Sequence, residues 1–204
     1  MSVVVIDYGM GNLGSVRRSL EECGARVIVS DRPDSLRQAS HVVLPGVGAF
    51  ARGMENLRSM EWLPALREFV FDDGVPLLGV CLGMQLLADT GHEGGSTKGL
   101  GLIHGEVRRL EARSLDERVP HVGWNEVFPL VECPLFTAIP AGADFYFVHS
   151  YHFVPQEEGQ FVAYVPYCGR TAAAVGVGNV WGVQFHPEKS SRAGFQLLRN
   201  FLAM

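Results

Sequence analysis

The chain has no stretch of about 18 consecutive apolar residues, so the sequence offers no membrane-spanning helix. Its four cysteines, Cys23, Cys81, Cys133 and Cys168, are widely scattered and form no CxxC pair. That spacing excludes a disulfide framework and a thiolate metal site, and fits a reducing compartment. Basic residues are few: 17 against 22 acidic, a net charge of −5, with no cluster able to neutralise a phosphate backbone. Nucleic acid is therefore a poor partner. The segment Met1 to Asp7 carries no basic, signal-like character and leads straight into a strand, which predicts a cytoplasmic protein. A Pro/Gly/Ser-rich linker and internal repeats are also lacking. With 47% hydrophobic and 19% charged residues, the expectation is one compact domain over residues 1–204.

What is present is an alternation of strand and helix patterns in the first half. Val3 to Ile6, Val27 to Val29 and Val42 to Leu44 are short β-branched runs, and Leu13, Val16 and Leu20 recur at helical spacing between the first two. A helical stretch with Leu63, Leu66 and Val70 on one face precedes the apolar run Val75 to Val80. Crossovers of this length require parallel strands, so the pattern predicts an α/β fold with a doubly wound, mostly parallel central sheet and flanking helices. From about Leu102 the rhythm changes to short strands: Val107–Leu110, Phe145–Val148, Phe161–Tyr164, Ala172–Val175 and Val180–Phe185, with a turn at Gly176-Val177-Gly178-Asn179. This half is expected to be antiparallel and strand-rich. A closing helix carries Phe195, Leu198 and Leu202 on one stripe, with Leu197 and Phe201 beside them.

Cys81 lies in Gly79-Val80-Cys81-Leu82-Gly83, where that apolar run gives way to a helical run predicted over Leu82 to Asp89. A nucleophile flanked by glycines at a strand-to-helix turn is held in a strained conformation and projects outward for attack. The helix N-terminus is expected to lower the thiol pKa from its free value of about 8.5. Such a thiol needs a base. His186 ends the last strand and is followed by Pro187 and Glu188, and an acid two residues along an extended segment can accept the second imidazole N–H. Nucleophile, base and orienter need not be close in sequence. A third element, Pro45-Gly46-Val47-Gly48 after the third strand, can turn backbone N–H groups toward an oxyanion. In a doubly wound sheet the carboxyl ends of neighbouring strands converge on one crevice.

Together, Gly79-Val80-Cys81-Leu82-Gly83-Met84-Gln85, the Pro45-Gly46-Val47-Gly48 loop and His186-Pro187-Glu188 resemble the class I, triad-type glutamine amidotransferases, of flavodoxin-like architecture. Asp7 to Asn12, Pro45 to Phe50, His121-Val122-Gly123-Trp124-Asn125 and Phe147-Val148-His149-Ser150-Tyr151 extend the resemblance. They make it similar to the glutaminase subunits of imidazole glycerol phosphate synthases, from histidine biosynthesis.

The resemblance implies that Cys81 attacks the carboxamide of L-glutamine and forms a glutamyl thioester. His186 would protonate the departing ammonia and then activate water, with Glu188 orienting it. The N–H of Leu82 and one from Gly46, Val47 or Gly48 would hold the oxyanion. Gln85, Glu93 and the His149-Ser150-Tyr151 backbone would contact the substrate's amino-acid end. No cofactor or metal is implied. The implied partner is a (β/α)₈-barrel cyclase in a heterodimer. Ammonia would pass to it through a tunnel and meet a phosphoribulosyl-formimino aminoimidazole carboxamide nucleotide, giving imidazole glycerol phosphate and AICAR. Asn12, Trp124, Asn125 and Tyr146 would lie near the interface, although Trp124 can equally be read as core. The glycines beside Val47 make that loop the expected switch. A glutaminase feeding another synthase, such as a sugar amidination enzyme, and a stand-alone cysteine hydrolase are the alternatives. The hydrolase would turn over at full rate alone.

Overall fold

A computed structural model describes residues 1–204. Strands β1 (Ser2–Ile6), β2 (Arg26–Ser30), β3 (His41–Gly46) and β4 (Leu77–Cys81) pair in parallel in the order β2-β1-β3-β4. Helix α1 (Leu13–Glu22) joins β1 to β2. Helices α2 (Phe50–Ser59) and α3 (Trp62–Leu66) lie between β3 and β4, with α3 continuing into a wider turn at Arg67–Asp72. After β4 come α4 (Leu82–Leu86) and strands β5 (Thr90–Gly91), β6 (Thr97–Lys98), β7 (Gly105–Arg109), β8 (His121–Pro129), β9 (Ala143–His149) and β10 (Tyr151–Pro155). The chain finishes with β11 (Phe161–Pro166), β12 (Arg170–Val177), β13 (Val180–Val183) and α5 (Ser191–Leu202).

The antiparallel half does not make a separate layer. Strand β13 joins the sheet in parallel beside β4, and β12, β11, β8 and β9 extend it in antiparallel order to nine strands. A second sheet, β10-β7-β5-β6, sends Val107 and Phe153 into the same core as Phe50, Leu82 and Val175. Because successive side chains in a strand point to opposite faces, Val3 and Val5 enter one apolar core while Val4 and Ile6 enter the other. The first core is closed by Val16 and Leu20 of α1 and by Leu197, Leu198 and Phe201 of α5. The second is closed by Phe50, Met54 and Leu57 of α2, Trp62 of α3 and Leu82 of α4. Each fully buried aliphatic or aromatic side chain contributes about 1.5–3 kcal/mol through removal from water.

Three expectations change. The helix after Cys81 stops at Leu86, short of Asp89, because the carbonyls of Leu86 to Asp89 are taken by N–H groups of residues 99–103 returning over it. The last strand ends at Val183; Gln184 and Phe185 continue past the sheet edge toward the crevice. The apolar stripe of α5 centres on Leu197, Leu198, Phe201 and Leu202, with Phe195 only half-buried. The consequence of the topology is positional. The carboxyl ends of β3, β4 and β13 lie side by side, with Gly46 opposite Cys81 and Val80 opposite Val183.

Candidate active site

Cys81 sits at the β4–α4 junction with φ 55° and ψ −108°, a region that costs a non-glycine residue about 1–3 kcal/mol. Close packing enforces it: a Cβ on Gly83 would lie 1.7 Å from the Leu44 carbonyl oxygen, and one on Gly79 would lie 2.7 Å from that of Gly83. The thiol is 6% exposed; Gln184 Nε2 lies 3.7 Å from Sγ, and the Val148 carbonyl lies 4.0 Å away. The other three cysteines differ in kind. Burial pushes the thiols of Cys23, Cys133 and Cys168 up, away from the reactive thiolate.

His186 follows the end of β13 in extended conformation, but Pro187–Lys189 is a 3₁₀ turn rather than the extended segment expected from the sequence. The turn still brings the carboxylate round: Glu188 Oε1 accepts from His186 Nδ1 at 2.8 Å, with both side chains 3% exposed. The backbone is clamped as well. His186 N–H donates to the Tyr146 carbonyl at 2.9 Å, and Ser190 Oγ donates to the His186 carbonyl at 2.6 Å. With Nδ1 committed to Glu188, Nε2 is the ring atom left to meet Cys81; it is buried and makes no closed hydrogen bond. Burial disfavours the imidazolium, but interaction with Cys81 and Glu188 outweighs it and holds the imidazole up to about 9.

The cleft before Cys81 has a volume of about 510 Å³ and is lined by Val47, Gly48, Ala49, Cys81, Leu82, Gln85, Glu93, Pro120, Val148, His149, Ser150 and Tyr151. A larger hollow of about 750 Å³ between Pro129 and Ile139 contains Cys133 but no histidine to activate it. Gln85 and Glu93 thus reach the same cleft from different elements. Gln85 Nε2 donates to the Tyr151 carbonyl at 2.8 Å and to Gln184 Oε1 at 3.0 Å, and Glu93 Oε2 accepts from Phe50 N–H at 2.7 Å. No group of three or more His, Cys, Asp or Glu is placed to hold a metal ion.

The loop Gly46-Val47-Gly48 borders this cleft, with Val47 44% exposed and Gly48 at φ 115°. Its neighbour Leu82 is already engaged. Val42 N–H donates to the Pro76 carbonyl, and the parallel register continues unbroken from Val42–Leu77 to Gly46–Cys81. The alternating rungs of a parallel ladder then carry the Leu82 N–H onto the Gly46 carbonyl. In this conformation the Gly46 carbonyl occupies one of the two donors expected for an oxyanion.

Two further groups have their places. Trp124 is 53% exposed, which removes the reading of it as core; it pairs in register with Tyr146, as Val122 does with Val148, giving β8 and β9 one exposed apolar face. Tyr146 also carries Lys189 Nζ 5.8 Å from its ring centroid. Asn12 caps α1, its side chain accepting from Ser15 N–H at 3.4 Å. Asn125 Nδ2 lies 3.4 Å from His121 Nε2, His121 Nδ1 lies 3.1 Å from His149 Nε2, and His149 Nδ1 donates to the Tyr151 carbonyl at 2.8 Å. Burial lowers His121 to about 4 and His149 to about 3, so both rings stay neutral.

The model of the glutamine amidotransferase class-I family matches residues 4–204. The chain belongs to that family. A "subunit HisH" of imidazole glycerol phosphate synthase from Moorella thermoacetica is 52% identical over 200 residues, covering 98% of this chain and 93% of that relative. Its namesake from Bacillus velezensis is 46% identical over 203 residues, covering 98% and 95%. Among solved structures, one titled a glutamine amidotransferase superposes with a TM-score of 0.77 at 19% identity, covering 98% of this chain and 97% of that one. A glutamine amidotransferase from Thermotoga maritima gives 0.65 at 21%, covering 100% and 83%. These structural likenesses concern the amidotransferase fold.

Sequence reasoning gave no part in this site to Gln184 and named His121 only within a motif. Gln184 stands two residues before His186 and is fully buried, so a polar residue in that apolar strand was the available signal. The partner of His121 is not legible from the motif, because His149 lies 28 residues on.

Proposed function

We propose that this chain is the glutaminase subunit of an imidazole glycerol phosphate synthase and hydrolyses L-glutamine through Cys81, His186 and Glu188. One observation carries the chemistry: a strained, nearly buried thiol faces an imidazole whose other nitrogen is held by a buried carboxylate. The Cys81 thiolate attacks the glutamine carboxamide carbon. As the C–N bond breaks, His186 Nε2 delivers its proton to the leaving nitrogen, and ammonia departs from a glutamyl thioester. His186 then takes a proton from water, the hydroxide displaces sulfur, and glutamate leaves with the ion pair restored. Glu188 holds the imidazole in one tautomer and stabilises its cation. Gln85 and Glu93 grip the substrate's amino-acid end beside the His149-Ser150-Tyr151 backbone.

The choice of synthase is supported by near-full-length relatives bearing that subunit's name. The partner is the (β/α)₈-barrel cyclase, which docks on the face formed by Val122, Trp124, Tyr146 and Val148 and receives ammonia through a tunnel. That exposed face, and an oxyanion donor engaged by the Gly46 carbonyl, both argue against a stand-alone hydrolase. Ammonia release from glutamine, measured with and without the cyclase and imidazole glycerol phosphate, tests the reading. Turnover is expected to be low for the chain alone and to rise greatly in the liganded complex. Cys81→Ala is expected to abolish glutamine-dependent synthesis and leave synthesis from added ammonia intact. Full-rate turnover by the free chain, or loss of both activities in Cys81→Ala, would overturn it.

A further inference from the structure

Tyr8 is fully buried, and its hydroxyl has no hydrogen-bond partner in the protein. Buried tyrosine hydroxyls are normally paired, so an unpaired one beside a reactive centre calls for a reason. Its surroundings supply one. A Cβ on Gly46 would lie 2.1 Å from the Tyr8 oxygen, 3.0 Å from Leu82 Cβ and 3.2 Å from Gly83 N, so the hydroxyl fills the space left by the missing side chain of Gly46. That space lies between the two segments that supply the oxyanion donors. The residue cannot swing away, because its ring is enclosed in the core and Asn56 Nδ2 donates to its carbonyl at 2.8 Å. Burial, and then the charge of Cys81, hold the phenolic proton in place, leaving the hydroxyl a donor.

The Gly46 carbonyl is on the Leu82 N–H in this conformation, as the β3–β4 ladder requires. For Leu82 to serve an oxyanion, that carbonyl must leave, and the Gly46–Val47 peptide must rotate so that its N–H turns to the cleft. Glycine at 46 permits the rotation at small steric cost, and a displaced carbonyl needs a donor of its own. We propose that the Tyr8 hydroxyl is that donor: it receives the Gly46 carbonyl when the peptide rotates and so holds the oxyanion loop in its working orientation. Tyr8 is then a positioning residue that never touches glutamine. The proposal rests on the triad reading above and deepens it by naming what stabilises the active state of the loop.

Tyr8→Phe keeps the ring and removes only the hydroxyl. In the complex with the cyclase and imidazole glycerol phosphate, its kcat for glutamine is expected to fall about tenfold, the equivalent of one hydrogen bond at 1.4 kcal/mol per decade. KM is expected to stay within twofold. The thermal midpoint is expected to hold or rise, since the lost group is unpaired in the resting state. A hydroxyl with a merely structural role would lower the midpoint and leave kcat alone. Stimulated kcat within twofold of the parent, or a fall in kcat accompanied by a lower midpoint, would overturn the proposal. Cys81→Ala measured alongside separates the two claims. If it is inactive while Tyr8→Phe matches the parent, only the role of Tyr8 fails; if it keeps glutaminase activity, the triad reading falls and takes this one with it.

Discussion

Replacing Glu188 by glutamine removes the charge from the pair with His186 while leaving an amide oxygen able to accept from Nδ1. The structure sets the size of the effect. The imidazole stands at about 9 against an ordinary value of about 6.5, with burial working against it. At 1.36 kcal/mol per pKa unit, Cys81 and Glu188 together favour the imidazolium by roughly 3 kcal/mol net of burial. Cys81 supplies the larger share and Glu188 the smaller, so removing the carboxylate charge takes away part of this preference and lowers the population of the imidazolium. Glu188→Gln should therefore lower kcat of the stimulated complex by at least about tenfold, and by on the order of a hundredfold or more where the amide also turns the ring to the wrong tautomer. KM for glutamine should be unchanged, because Glu188 does not line the cleft. Steady-state ammonia release gives kcat and KM, and a ¹H–¹⁵N titration of the imidazole gives its pKa, expected to fall. An imidazole still titrating near 9, with kcat within threefold of the parent, would refute the reasoning.

Other consequences follow from the same geometry. His186 is raised in the folded chain, so its contribution to stability is complete below about pH 6.5 and is lost as pH climbs through about 9. His121 and His149 are lowered, so theirs is complete above about pH 6.5 and is lost as pH falls toward 4 and 3. Thermal melts across pH should show a maximum near pH 6.5, with a shallower alkaline limb in Glu188→Gln; a midpoint that does not change between pH 6.5 and 9.5 would contradict this. Gly83→Ala drives a Cβ to within 1.7 Å of a backbone oxygen and should lower the melting midpoint by at least about 4 °C, as expected for a loss of about 2 kcal/mol; a smaller shift would mean the β4–α4 turn yields more easily than its packing indicates. Trp124→Ala, at a position 53% exposed, should leave the midpoint of the free chain within about 2 °C but weaken association with the cyclase at least about tenfold by titration calorimetry; unaltered affinity would move the docking face elsewhere.

The parallel half was legible because fully buried strands read as continuous β-branched runs, as at Val3 to Ile6 and Val42 to Leu44, and their connecting helices carry a 3.6-residue period. Strands β5 and β6 were not, since two residues each hold no period at all. Strand β8 was also missed as a strand: its residues His121 to Pro129 mix exposed apolar side chains with polar ones, the reverse of a core strand. The short α4 illustrates a different limit. Leu82 to Asp89 has a helical composition, and the segment ends early because a loop 13 residues downstream of Leu86 takes its carbonyls, a competition that local pattern does not record.

The sequence by itself determined the chemical inventory: a glycine-flanked thiol, a histidine followed two residues later by an acid, and a glycine-rich loop after a buried strand. These are local features, written in a few adjacent residues. Only the tertiary structure decided how they meet. It set Gly46 opposite Cys81, brought Glu188 to His186 through a 3₁₀ turn, exposed Trp124, and placed an unpaired Tyr8 hydroxyl against Gly46. It also decided the conformation of the loop after β3, because the phase of hydrogen bonding between β3 and β4 puts the Gly46 carbonyl on the Leu82 N–H. That phase is a relation between two strands more than 30 residues apart, fixed by packing of the whole sheet, and no stretch of sequence around either one contains it.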